Sequence, residues 1–262
     1  MVDNPGHNGG DDSNETKKII PEIIIPNEHS ERGGSAGGNE QQLILSSSVL
    51  PERIFIMPVE SKPVFPGMVF PLLVKEGYAA NLIRHVRHHV PAKIIGFVLT
   101  RREEKEQKED DIEVTRRELF THGTAARMVD YQEDNEGRIQ AVFQAEKRFR
   151  ILSSLEQAGF LVAHVAYFDD ILHSSDEVKA LTLAIMNTLR DLTRHNPLFN
   201  EEIRMFLSRG DLSNPGKLAD FSASMTSASR EELQEILACQ DVKKRLEKVL
   251  FILRKELDLN EL

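Results

Sequence analysis

Short apolar segments bounded by proline, glycine or polar residues recur between about residues 53 and 168, and they predict strands. In Arg138–Ala145, the apolar Ile139, Ala141 and Phe143 alternate with polar residues, as in a strand with one wet face. The polar stretch Glu133–Gly137 just before it predicts a hairpin turn. The predicted strands are Arg53–Val59, Val69–Val74, Lys93–Leu99, Thr124–Tyr131, Arg138–Ala145, Lys147–Leu152 and Phe160–Phe168.

After about His173 the apolar positions recur every three or four residues, which predicts helices. The first helix is predicted to end before Pro197, because proline cannot continue the hydrogen-bond ladder. A later helix is predicted to begin at Ser229, since Glu232 completes a capping-box pattern. The first and last helices carry single apolar stripes of Val178, Leu181, Ile185, Leu189 and Leu192, and of Val242, Leu246, Leu250, Leu253 and Leu257. Other helices are predicted at Tyr78–His89, Glu201–Ser208 and Pro215–Met225.

These patterns predict an α+β protein in three parts. Residues 51–172 form a mostly antiparallel β lobe, and residues 173–262 form an all-α lobe that ends in a long helix. Residues 1–50 hold 7 of the 15 glycines without apolar periodicity, so they are predicted to be a disordered tail. Two apolar islands in that tail, Ile19–Ile25 and Leu43–Leu45, are either short docking elements or simply flexible chain. Residues 101–113 are nearly all charged and predict a solvated loop.

Composition narrows the class of protein. The chain has 262 residues, 40% of them hydrophobic, and a net charge of −9, which argues against nucleic acid as the main partner. The sequence holds no run of 18 apolar residues, so no membrane span is predicted. The start is neither basic nor apolar, unlike a signal or transit peptide, and a cytoplasmic location is expected. The single cysteine, Cys239, cannot form an internal disulfide and fits a reducing compartment.

Three motifs that could carry chemistry fail on spacing or context. Between Gly210 and Gly216 lie five residues rather than the four of a phosphate loop, and Leu218 replaces the Mg²⁺-binding hydroxyl. The stretch Gly34–Gly37 contains a serine but no positioned base. His85 and His89 share a helix face, as in some zinc sites, but no third ligand follows at a set spacing. The sequence therefore predicts no catalytic residue, cofactor site or metal site in this chain.

Four stretches, taken together and in this order, resemble the N-terminal region of the Lon family of ATP-dependent serine proteases. The first resembles the family's opening strand, loop and strand, the second its entry to the central hairpin, and the others two helix starts. They are Ile56–Leu72, His122–Arg127, Asn214–Asp220 and Asp241–Leu250. In the first stretch, Pro58, Pro63, Pro66 and Pro71 remove backbone donors, so this hairpin must lie at a sheet edge or in a bulged loop.

The resemblance implies a PUA-like β lobe and a helical lobe that precede an AAA+ ATPase domain and a Ser-Lys peptidase domain. The assembled family enzyme is a homohexamer that needs ATP and Mg²⁺ and degrades misfolded, damaged and short-lived regulatory proteins. This chain would be its non-catalytic substrate-recognition and assembly region, with unfolded or degron-bearing proteins as partners. The alternative is a freestanding Lon-domain adaptor with no protease attached. RNA binding is suggested by fold analogy alone, and the acidic charge counts against it.

Phe65, Met68 and Phe70 are the candidate substrate-binding residues. They are large and apolar, and they lie in a segment whose prolines prevent regular pairing, so an exposed apolar surface is expected there. The flexible side chain of methionine suits a surface that accepts many sequences. The alternative is that all three residues belong to the core.

Overall fold

The computed structural model describes residues 50–101, 118–173, 175–195 and 214–260. These residues form a mixed six-stranded sheet followed by a group of helices, which confirms the predicted α+β order. The strands and helices are β1 Arg53–Val59, β2 Val69–Val74, α1 Gly77–His89, β3 Ile94–Thr100, β4 Leu119–Glu133, β5 Ile139–Gln157, β6 Phe160–Tyr167, α2 Asp176–His195, α3 Pro215–Ser224, α4 Arg230–Ala238 and α5 Val242–Asn260. The predicted tail 1–49, the loop 102–113 and the helix Glu201–Ser208 lie outside the described residues.

The predicted strands Arg138–Ala145 and Lys147–Leu152 are one strand, β5, so the break expected between them is wrong. Ala126 pairs with Ala145 and Ala125 pairs with Lys147, which leaves Glu146 as an extra residue. A bulge of this kind interrupts the alternation of side chains without ending the strand. The sequence pattern alone could not separate this bulge from a turn.

Five strands close into a barrel, and the sixth lies outside it. The order β5-β4-β3-β1-β6 is completed by a second pairing of β5 with β6, and only β1 and β3 run parallel among the pairs. β5 is long enough to pair with β6 along its second half and with β2 along Ile139–Gln144. Within the described residues β2 pairs with β5 alone, so β2 has a free edge. The edge position predicted from the prolines is confirmed for β2, but the predicted hairpin is wrong, because β1 pairs with β3 and β6 and not with β2.

The helical lobe (α2–α5) has its own apolar core. α2 and α5 both follow a parallel bridge between Ile171 and Asp241 and pack along each other. Asn214 caps α3 by accepting a hydrogen bond from the amide of Lys217, and Ser229 and Glu232 form the predicted capping box on α4. No described helix has both the length and the apolar character needed to cross a membrane.

Candidate functional site

The three candidate residues lie largely inside the protein. Phe65 is 1% exposed and packs into the core of the helical lobe. Phe70 is 8% exposed, and its ring lies 5.1 Å from that of Phe97 and 5.8 Å from that of Phe143. Met68 is half-buried and packs against the cores of both lobes. The expectation that Phe65 and Phe70 form an exposed surface is therefore wrong, because each side chain has a core to enter.

The proline-rich segment that carries these residues is a seam between the two lobes. The hydroxyl of Thr124 donates to the carbonyl of Val64 over 2.6 Å, and Lys62 donates to the carbonyl of Thr226 over 2.7 Å. Gly67, at a φ of +85°, makes the tight bend and donates to the carbonyl of Ala145. These bonds hold the segment between β4, β5 and α3 even though its prolines prevent a regular ladder.

The proline-rich segment does not form an exposed apolar surface, but the outer face of β2 does. Phe70, Leu72 and Val74 face the core, so Pro71 and Leu73 point the other way, and Leu73 is 59% exposed. On β5 the half-buried Val142 lies opposite Pro71. On β4 a bulge after Met128 leaves Val129, beside Val142, 49% exposed. We call the set of Pro71, Leu73, Val129 and Val142 the β2 face.

The free edge of β2 presents unpaired backbone groups next to this face. The amide of Ala145 donates to the carbonyl of Met68, so Val69 and Gln144 form a pair without hydrogen bonds between them. Pro71 and Leu73 follow at intervals of two and share this orientation, with their backbone groups pointing away from β5. Pro71 has no N–H to offer, which makes the edge a weaker pairing surface than an ordinary strand.

Two glutamines and one aspartate border the apolar part of the β2 face, since the exposed Asp130 lies opposite Val142. Gln140 lies opposite Leu73, Gln132 lies opposite Gln140, and both glutamines are exposed. On the same two strands, β4 and β5, Arg127 donates two hydrogen bonds to the carboxylate of Glu146, over 2.6 and 3.2 Å, so these two charges neutralise each other. Such a surface can contact an extended apolar chain.

The histidines of α1 form an aromatic cluster. The rings of His85 and His89 stack at 4.6 Å, and His85 also contacts Phe55 and Phe160 at 5.0 and 5.1 Å. Burial, followed by the nearby His89, lowers the pKa of His85. Across the described ranges, no three His, Cys, Asp or Glu side chains come together in a way that could hold a metal ion.

A buried ion cluster joins the lobes, and we call it the lobe junction: Arg148, Asp170, Gly216, Asp220 and Arg245. Arg148 of β5 is ion-paired with Asp220 of α3 and donates to the carbonyl of Leu237 in α4. Arg245 of α5 is fully buried and donates to Asp170 over 2.9 Å. Burial raises the pKa of the Asp220 carboxyl, and Arg148 and Arg245 oppose that rise. A Cβ at Gly216 would meet the Asp170 carboxylate and the Arg245 guanidinium, so a larger residue there must displace this ion pair.

The sequence analysis did not predict the β2 face. It included residues of the lobe junction, but as part of the family resemblance and not as a cluster. Asp220 and Arg245 belong to the third and fourth stretches that carried the family resemblance. A signal for the face was present in β2, whose residues are apolar at every position from Val69 to Val74 and not only at alternate ones. A strand of that kind is apolar on both faces, and on the outer face of β2 Val69 is buried whereas Leu73 is exposed.

Comparison with known proteins agrees with this architecture. A profile of the family described as the ATP-dependent protease La (LON) substrate-binding domain matches residues 53–255. The Lon protease of Chlamydia pneumoniae is 38% identical over 214 residues, which are 82% of this chain and 25% of that protein. The Lon protease of Protochlamydia amoebophila is 36% identical, over 80% of this chain and 25% of that protein.

Solved structures share the fold. The N-terminal domain of the Mycobacterium avium complex Lon protease superposes with a TM-score of 0.59 at 21% identity, covering 77% of this chain and 98% of that one. A Lon N-terminal domain protein from Xanthomonas campestris gives a TM-score of 0.52 at 20% identity, covering 76% and 96%. The chain spans about a quarter of the length of the curated relatives named above. On the profile match and these similarities, the chain belongs to the Lon substrate-binding domain family.

Proposed function

We propose that this chain is the substrate-recognition region of an ATP-dependent Lon-type protease and that it binds unfolded polypeptide on the β2 face. The observation that carries the proposal is the exposure of Leu73 and Val129 beside a strand edge that no other described strand pairs with. Exposed apolar patches with polar surroundings mark binding sites on soluble proteins. Unfolded clients offer the matching chemistry, because they expose apolar side chains and unpaired backbone groups.

The binding is expected to be weak and tolerant of sequence. The missing donor at Pro71 removes one hydrogen bond from any chain that pairs with β2, and a disordered client loses conformational entropy when it is ordered. In a homohexamer, several weak faces would act together and raise the effective concentration of the client.

The chain itself is proposed to be non-catalytic and cytoplasmic. ATP, Mg²⁺ and the peptidase reaction would then belong to other parts of a full-length protease. Purified chain is expected to hydrolyse neither ATP nor a fluorogenic peptide. ATP turnover that disappears on Lys217→Ala would contradict this proposal, since Lys217 is the one lysine in the loop-like motif at 210–217.

The client surface is tested with Leu73→Ser against a matched control, Leu183→Ser. Both leucines are equally exposed, at 59% and 60%, but Leu183 lies on α2 and is not part of the β2 face. Binding to a fluorescent unfolded casein is measured by anisotropy, and folding is checked by thermal melting. Losing about 1 kcal/mol of apolar contact predicts about fivefold weaker binding for Leu73→Ser alone. Equal affinities of the two folded variants and the parent would show that the β2 face is not the site.

A further inference from the structure

Phe251 is an aromatic side chain on the outer side of α5. It is 69% exposed, which is more than any other large apolar side chain in the ranges that the structure describes. The neighbouring Val249, Ile252 and Leu253 are buried, so α5 fills the core of the helical lobe with other side chains. Aromatic side chains bury large apolar areas and are enriched at interfaces between proteins. Phe251 is therefore the strongest candidate on α5 for contact with another molecule.

A groove runs between α2 and α5 next to Phe251. Its apolar lining includes Leu181 and Ala184 of α2 and Leu250 of α5, and charged side chains of both helices also line it. Phe251 follows Leu250 directly, but it projects about 100° further around the helix and does not line the groove. α5 therefore carries both a protruding ring and, beside it, a groove that its own ring does not fill.

These two features match each other when two copies of the chain are related by a two-fold axis. In a two-fold interface both copies use the same surface, so each contact occurs twice. When two α5 helices lie antiparallel with Phe251 of each opposite Leu250 of the other, these residues form an apolar layer and each ring enters the groove of the second copy. Both rings leave water in this arrangement, and both grooves are filled.

The charges along α5 are complementary in this register. About one turn from the apolar layer, Glu247 lies opposite Arg254 of the second copy. About two turns from it, Lys243 lies opposite Asp258, which would join the ion pair that Lys243 already makes with Glu177 in its own chain. A parallel pair would instead set each of these charges against its own copy. Because like charges repel across an interface, the charge pattern favours the antiparallel pair.

We propose that two copies of this chain associate through antiparallel α5 helices, each of which inserts Phe251 into the groove between α2 and α5 of the other. The occupant of the groove is thus a second copy of the chain. A contact limited to two helices of each copy buries no more than about 1,200 Å², so the association is weak, with a dissociation constant on the order of 100 µM. It uses no residue of the β2 face, so this proposal does not depend on the binding of clients.

The association is measured by sedimentation equilibrium of the full chain between about 10 µM and about 1 mM, where we expect a monomer–dimer equilibrium. Phe251→Ser should weaken the dimer at least about tenfold, because two buried rings are lost. Leu183→Ser is the matched control and should associate like the parent, since Leu183 is 60% exposed on α2 but does not line the groove. Thermal melting checks that both variants fold. A parent that stays monomeric throughout, or a dimer that Phe251→Ser leaves intact, overturns the proposal.

Charge reversal tests the direction of the helices. Glu247→Arg places like charges opposite each other in the antiparallel pair and should weaken the dimer about fivefold. Adding Arg254→Glu exchanges the two charges, so the double variant should recover the affinity of the parent. In a parallel pair neither variant brings opposite charges together, and no recovery is expected. A dimer that Glu247→Arg does not weaken, or that the double variant does not restore, overturns the antiparallel pairing.

Discussion

The lobe junction buries charged side chains, and the β2 face exposes apolar ones, which is the reverse of the usual arrangement in a soluble protein. At the junction three charged side chains, Arg148, Asp220 and Arg245, are buried beside the more exposed Asp170, whereas at the face apolar side chains remain exposed. The junction also contains residues from two of the stretches that identify the family, whereas the first stretch contributes only Pro71 to the β2 face. The family stretches therefore supply three of the five residues of the lobe junction, whereas three of the four residues of the β2 face lie outside them.

Removing one charge from the junction should have the largest effect on stability. Arg245→Leu leaves Asp170 without its main partner and Asp220 with Arg148 alone, and breaking a buried pair costs about 3–5 kcal/mol. Urea denaturation measures the change in the free energy of unfolding. Lys248→Met is the control, since its ion pair with Glu235 is exposed and such pairs contribute about 1 kcal/mol or less. Similar losses in both variants would mean that the junction is no more important than the surface.

A smaller loss is expected from the helix that borders the junction. α4 supplies the Leu237 carbonyl to Arg148, and its first turn is held by the capping box of Ser229 and Glu232. Ser229→Ala should lower the free energy of unfolding by about 1 kcal/mol. Ser229→Asn, which keeps a capping oxygen, should retain most of that stability. An equal loss in the two variants would show that the cap itself is not the stabilising contact.

At the β2 face, substitutions are expected to change stability very little. Leu73→Ser should alter the free energy of unfolding by no more than about 0.5 kcal/mol, because the side chain is mostly solvated already. Its neighbour Phe70 supplies the contrast on the same strand, since Phe70→Ala should cost about 3–5 kcal/mol. If Leu73→Ser destabilised the chain as much as Phe70→Ala, the face would be part of the core.

The smallest expected effect is on the pH dependence of stability, which should differ between the lobe junction and the β2 face. His122 lies beside the junction, and burial, with help from Arg150, lowers the pKa of its ring below the ordinary value of about 6.5. The unfolded chain therefore binds this proton at a higher pH than the folded chain does. Stability is lost as pH falls below about 6.5, until the folded pKa is passed. His122→Asn should flatten part of the slope of unfolding free energy against pH, while Leu73→Ser should leave the slope unchanged.

Periodicity predicted most of the described strands and helices because burial of one face dictates it. β1 and β2 match their predicted bounds, and the capping box lies where Ser229 and Glu232 indicated. Two features could not be predicted from the sequence, for physical reasons. Glu146 breaks the alternation of β5 at a bulge, and a bulge depends on the partner strand. Phe65 and Phe70 were placed on the surface because their prolines rule out a regular ladder, yet irregular backbone can still deliver side chains into a core.

The continuity of β5 has a mechanical consequence. One strand runs from its pairing with β2 into the barrel wall, and between those two stretches Arg148 anchors it to α3 and α4. Arg245 extends the same chain of contacts to α5. Tension applied along α5 is therefore delivered to the middle of β5 and not to its ends. Under such a load the β2 edge would move together with α5, and the strands of the barrel would stay paired.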